Sequence, residues 1–345
     1  MAPWKKPYTY TDMDQLTAYG GRDDGLFRAA ILQSGNPIFY IAQGGFNRTQ
    51  AAFDTVVAQV GCHNATNKVQ CLREVPFQTL NATMNGNLST TGGFNPVIDG
   101  DFTQDYGSRA LKNGKFVKVP LMVGANSDEG ASFAPLGINT TEQYKAALVT
   151  LPSSFRDAIL QAYPDDLSTN VIAALGTQRP AAIFGQQFRR AATYTGDQLF
   201  IAPRRQTAVT WASHKIPTYA YRFNTDQAGF APEMAVSHFK EIGFVFRNIE
   251  GVGWRPDIKP FAGKPQRYVD LAYFMSSTWA SFVHDLNPNS WKSRPKGIEN
   301  WPKYKVDDPK DFVFDANVTS HAECDTWRKE GIDLINAHAL DVYSR

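Results

Sequence analysis

The chain reads as an α/β protein: short apolar runs of strand character alternate with longer stretches of helical period, separated by turn residues. Residues 28–33 form the first apolar run, closed by Ser34-Gly35-Asn36-Pro37, and predict a buried strand. Within residues 51–60, Phe53, Val56, Val57 and Val60 fall at helical spacing, and Gly61 stops the helix. Residues 117–123 predict a second buried strand running into Gly124-Ala125-Asn126, with Pro120 suited to a strand start or an edge. Residues 141–162 and 170–192 carry helical patterns broken at Pro152, Pro164 and Pro180. Tyr219, Tyr221 and Phe223 alternate in a third strand at residues 218–223. The strongest helix lies at residues 267–283, where Leu271, Phe274, Met275, Thr278, Trp279 and Phe282 share one stripe before Asn287-Pro288 ends it. No repeat, low-complexity tract or linker divides the chain, which predicts one domain.

Composition narrows the function classes. A chain of 345 residues with 43% hydrophobic and 13% aromatic content can bury a substantial core, which excludes disorder. The formal net charge is only +2, and the one dense basic patch, Lys292-Ser293-Arg294-Pro295-Lys296, reads as a solvated loop, so no nucleic-acid partner is expected. No apolar run is long enough for a transmembrane segment. Six Asn-x-Ser/Thr acceptors, at Asn47, Asn64, Asn81, Asn87, Asn139 and Asn317, point to a secretory history. The first residues, Trp4-Lys5-Lys6-Pro7-Tyr8, lack the apolar core of a signal peptide. Of three cysteines, the spacing of Cys62 and Cys71 suits either a small disulfide loop or two free thiols, and Cys324 has no evident partner.

Gly20-Gly21-Arg22-Asp23-Asp24-Gly25, followed by Leu32-Gln33-Ser34-Gly35-Asn36-Pro37, resembles the segment after the catalytic serine of type-B carboxylesterases, the family of fungal lipases and cholinesterases. Further matching stretches are Asn95-Pro96-Val97-Ile98-Asp99-Gly100, Trp301-Pro302-Lys303-Tyr304 and Phe312-Val313-Phe314-Asp315-Ala316-Asn317. The likeness runs from about residue 15 to the C-terminus and leaves residues 1–14 unmatched. Counting back to the family's G-E-S-A-G turn ends near Lys6, where no serine stands, and no G-x-S-x-G occurs in the chain. The resemblance therefore implies a partial α/β-hydrolase fold over residues 15–345, lacking its N-terminal strands and nucleophile elbow. It also implies an uncovered edge on the first strand, prone to self-association.

The resemblance implies site residues too. Glu129, in Ser127-Asp128-Glu129-Gly130, matches the family's triad acid, whereas local sequence alone reads this run as a helix cap and first turn. Asp128 is left to the cap. His238 matches the triad base, three residues before Glu241, which in the family is buried and pairs with the serine of the first strand's end, here Ser34. The other five histidines read as structural or surface residues. Cys62 and Cys71 match the family's small disulfide loop, a closure worth about 2–3 kcal/mol. The implied chemistry is hydrolysis of a carboxylic ester or lipid by a Ser–His–Glu acyl-enzyme route, in a secreted protein, with no metal or organic cofactor. Ser34, Ser127 and Ser237 lie in no elbow, so the chain alone is expected to be inert. The alternative reading is a non-catalytic interaction or adhesion module of the same family.

Overall fold

The computed structural model describes residues 15–38, 46–86, 96–170, 172–255 and 258–345. Its elements run β1 (Ala30–Gln33), α1 (Phe46–Gln59), α2 (Lys68–Glu74), α3 (Phe77–Asn85), α4 (Gly107–Lys112), β2 (Leu121–Asn126), α5 (Thr141–Ala147), α6 (Ser153–Ala162), α7 (Phe188–Gly196), α8 (Ala202–Ser213), β3 (Thr218–Phe223), α9 (Ile242–Val245), α10 (Gln266–Asp285), β4 (Lys310–Phe314), β5 (His321–Cys324) and α11 (Lys329–Ala337). The strands form one sheet in the order β1-β2-β3-β4-β5. The first four are parallel and β5 is antiparallel to β4. Among the described residues, β1 is paired on one side only, to β2.

Alternation along each strand divides the core into two faces. Met122, Tyr219, Tyr221, Phe223, Phe312 and Phe314 pack against Leu271, Phe274, Met275, Trp279 and Phe282, the stripe of α10. On the opposite face Leu121, Val123 and Ala220 meet Phe116 together with Ala208 and Trp211 of α8. The Trp211 indole N–H is satisfied by the carbonyl of Val119 at 3.0 Å, so the ring can be fully buried. Gly124 has no side chain because the Tyr221 ring occupies that space: a Cβ there would lie 2.1 Å from a ring carbon.

Several expected elements shift. β2 begins at Leu121 rather than residue 117: Val117 N–H donates to Leu16 outside the sheet, and Pro120, whose carbonyl accepts from Ala30 of β1, has no N–H to give the ladder. The 141–162 pattern is two helices. Thr140 and Gln143 cap the first reciprocally, and Pro152 opens the second. The 170–192 pattern yields a short 3₁₀ turn at Ala173–Leu175 and then the start of α7. α7 runs through a π-helical turn at Asp197–Ile201 directly into α8. Pro203 does not break this helix, since it sits in the first turn of α8. Cys62 and Cys71 are joined as a disulfide, and Cys324 is a free, exposed thiol. No helix among the described residues is long and apolar enough to cross a membrane.

Candidate active site

Three segments converge beyond the C-terminal ends of β1 and β2. Glu129 opens a 3₁₀ turn, Glu129–Ser132, three residues after β2 ends, and is fully buried. The next residue must be glycine: a Cβ on Gly130 would fall 2.0 Å from the Ala192 carbonyl and 2.3 Å from the Gly196 nitrogen, so α7 packs directly on this turn. His238 lies in the loop after β3, between Ala235 (φ 23°) and Phe239 (φ 78°), two non-glycine residues in the left-handed half of backbone space. Each such residue stores roughly 1–3 kcal/mol of strain, which persists only where surrounding contacts impose it.

Those contacts are specific. His238 Nδ1 stands 2.6 Å from Glu129 Oε2. Facing a carboxylate, Nδ1 carries the proton and donates it, which leaves Nε2 as the lone-pair nitrogen of the neutral ring. The ring is stacked on Phe200 (centroids 4.7 Å) and met edge-on by Phe133 (5.2 Å), and 13% of its side chain remains exposed. Phe200 comes from the π-helical turn, a feature frequent at functional sites. That turn is tied down by Asp197, which accepts from Arg328 at 2.6 and 2.8 Å and from the Tyr163 hydroxyl at 2.9 Å. The other Glu129 oxygen accepts from the Ser34 hydroxyl and from the Asn126 N–H at 2.7 Å.

Two expectations are corrected here. Ser34 does not pair with Glu241. The parallel register of β1 on β2 holds Ser34 N–H on the Gly124 carbonyl at 2.9 Å, and its hydroxyl therefore meets Glu129. Glu241, 2% exposed, instead accepts from Asn126 Nδ2 at 2.7 Å and Gln33 Nε2 at 3.3 Å. Burial, and then the charge of Glu129, push its carboxyl above the ordinary value. Nor is Asp128 a side-chain cap. Its carboxylate accepts from Val236 N–H at 3.1 Å, pinning the histidine loop, and burial pushes it up to about 6.

No side-chain hydroxyl among the described residues is bonded to His238 Nε2. Ser34 is committed to Glu129, and Ser127 contacts Asn224 and Arg222. Among the described residues no group of three or more His, Cys, Asp or Glu is arranged to hold a metal ion. Asn64, Asn81, Asn139 and Asn317 are exposed; Asn87 and the side chain of Asn47 lie outside the described residues. The lining residues that sequence reasoning missed are Phe200 and Gln33. Phe200 stands in no recognisable motif, and Gln33, although inside the Leu32–Pro37 stretch, carries no local sign of a role; each reaches the site through packing of elements distant in the chain.

Comparison with known proteins follows the same lines. The carboxylesterase family model matches residues 15–327. The secreted lipase 1 of Botryotinia fuckeliana is 32% identical over 314 residues, covering 84% of this chain and 50% of the relative. Lipase 4 of Diutina rugosa is 28% identical over 307 residues, covering 84% and 49%. Among solved structures, Aspergillus niger EstA superposes with a TM-score of 0.73 at 22% identity, covering 96% of this chain and 62% of that one, and shares the α/β-hydrolase-like fold. The chain spans about half the length of the relatives it matches. By the family match over most of its length, the chain belongs to the carboxylesterase family.

Proposed function

We propose that Glu129 and His238 are the acid and general base of carboxylic-ester hydrolysis through an acyl-enzyme, and that these 345 residues alone do not turn over. The observation carrying the reading is the 2.6 Å contact of His238 Nδ1 with a fully buried Glu129 carboxylate. Glu129 fixes the tautomer, so Nε2 accepts the proton of a serine hydroxyl as that oxygen attacks the ester carbonyl. The same nitrogen then protonates the departing alcohol, and a water repeats the sequence to release the acid. Two N–H donors must receive the oxyanion meanwhile. Neither a G-x-S-x-G run nor the H-G-G-G-type run that supplies such donors in this fold occurs in this sequence. In subtilisin, loss of the serine alone lowers turnover about 10⁶-fold. A short-chain p-nitrophenyl ester should therefore be hydrolysed no faster than in buffer. Turnover that disappears in His238→Ala would overturn the inertness. A pure interaction module has no need of this buried acid–base pair, which favours the hydrolase reading.

Two further properties belong to this reading. The relatives named as secreted lipases and the exposed acceptors Asn64, Asn81, Asn139 and Asn317 support secretion and glycosylation. Enzymatic deglycosylation of material from a secreting host should increase gel mobility, and an unchanged band would contradict it. The one-sided pairing of β1 supports self-association through that edge. Sedimentation should show species larger than a monomer that grow with concentration, and a monomer throughout the micromolar range would count against it.

A further inference from the structure

We infer that Asn126 is a positioning residue that clips the histidine loop to the strand end carrying the acid; the inference rests on Glu129 and His238 being the acid–base pair. Asn126 is the last residue of β2 and is 1% exposed. Its backbone N–H holds Glu129 Oε1 at 2.7 Å. Its side-chain Nδ2 reaches both flanks of His238, donating to the Ser237 carbonyl at 3.0 Å and to Glu241 Oε2 at 2.7 Å. One residue thus touches the acid, the position before the base, and the carboxyl three positions after it.

The orientation of the amide follows from its partners. Turned over, the Asn126 carbonyl would face two acceptors, the Ser237 oxygen and the Glu241 carboxyl, and both bonds would be lost. In the orientation found, Oδ1 is buried with no hydrogen-bond partner among the described residues. A site selected only for stability would not leave that oxygen orphaned. Here the orphan accompanies two donors spent on one loop. The loop needs holding, since Ala235 and Phe239 keep it in strained backbone on either side of His238. Asp128 anchors the loop separately, exchanging hydrogen bonds with Val236 in both directions at 3.1 Å. Loss of the Asn126 amide should therefore loosen the histidine's register without detaching the loop.

The test is proton NMR on the full chain, following the low-field resonance of the His238 Nδ1 proton. The resonance is identified by its absence in His238→Ala. Asn126→Ala should raise the solvent-exchange rate of that proton about tenfold or more, the equivalent of one lost hydrogen bond, while circular dichroism stays native. Asn126→Asp, isosteric but able to donate at most one of the two bonds, should do the same at neutral pH. It decides the matter if Asn126→Ala does not fold. Glu241→Gln should leave the rate near wild type, because its amide carbonyl still accepts from Asn126. A wild-type exchange rate in a folded Asn126 variant overturns the inference alone. A resonance unaffected by Glu129→Gln instead removes the acid–base reading, and this inference with it.

Discussion

Arg204→Met is expected to lower the unfolding free energy by about 3–5 kcal/mol, the cost of removing one partner from a buried ion cluster. Arg204 is buried on α8 and donates to both Asp325 oxygens, at 2.5 and 3.0 Å, and to Asp311 Oδ2 at 3.3 Å. Burial alone would lower its proton affinity, but Asp325 and then Asp311 outweigh that and raise it. Without the guanidinium the two carboxyls fare differently. Asp325 keeps Arg205 at 2.9 Å and the Tyr304 hydroxyl at 2.8 Å, whereas Asp311 loses its only ion-pair partner among the described residues. Burial, reinforced by the charge of Asp325, already pushes Asp311 up to about 7. Adding Asp311→Asn to Arg204→Met should therefore recover part of the loss. Chemical denaturation of the single and double variants checks this; equal stabilities for wild type and Arg204→Met would refute the account of the cluster.

Lys240→Met should act in the opposite sense, raising stability at pH 7 by about 2–4 kcal/mol. Lys240 lies on the histidine loop, 3% exposed, with Nζ over the Phe230 ring and without a hydrogen-bond partner for that nitrogen among the described residues. Burial lowers its pKa from 10.5 to about 6, helped by Lys264 and opposed by Asp226. Between those two values the unfolded chain holds a proton that the folded chain does not, so stability rises with pH across the window and the penalty is complete below about 6. The methionine variant should lose that slope, its advantage shrinking to nothing as pH nears 10.5. A slope unchanged by the substitution would show that Lys240 keeps its charge in the folded protein.

How much of this was legible in the sequence depends on whether a feature is local. The third strand, Thr218–Phe223, and the α10 stripe were readable because alternation and helical period are properties of a few consecutive residues. Glu129 and His238 were legible through motifs, and the fold brings them together across 109 positions. What failed was long-range. The partner of Ser34 depends on the register of β1 against β2 and on its own left-handed backbone, φ 55°. Glu241 turned to Asn126 and Gln33 for the same reason. The sheet edge formed by β4 and β5 was missed because β5 is partly exposed and has no apolar alternation to betray it. The helix continuing through Pro203 was missed because a proline in the first turn looks, in sequence, like a proline that ends one.

The proposal is that a base and its acid stand assembled while no hydroxyl among the described residues is placed for activation. It is tested most directly by treating the purified chain with a fluorophosphonate probe and locating any adduct by mass spectrometry. The account predicts no covalent label on any serine or threonine, with or without His238. A stoichiometric adduct on one side-chain oxygen, abolished by His238→Ala, would contradict it.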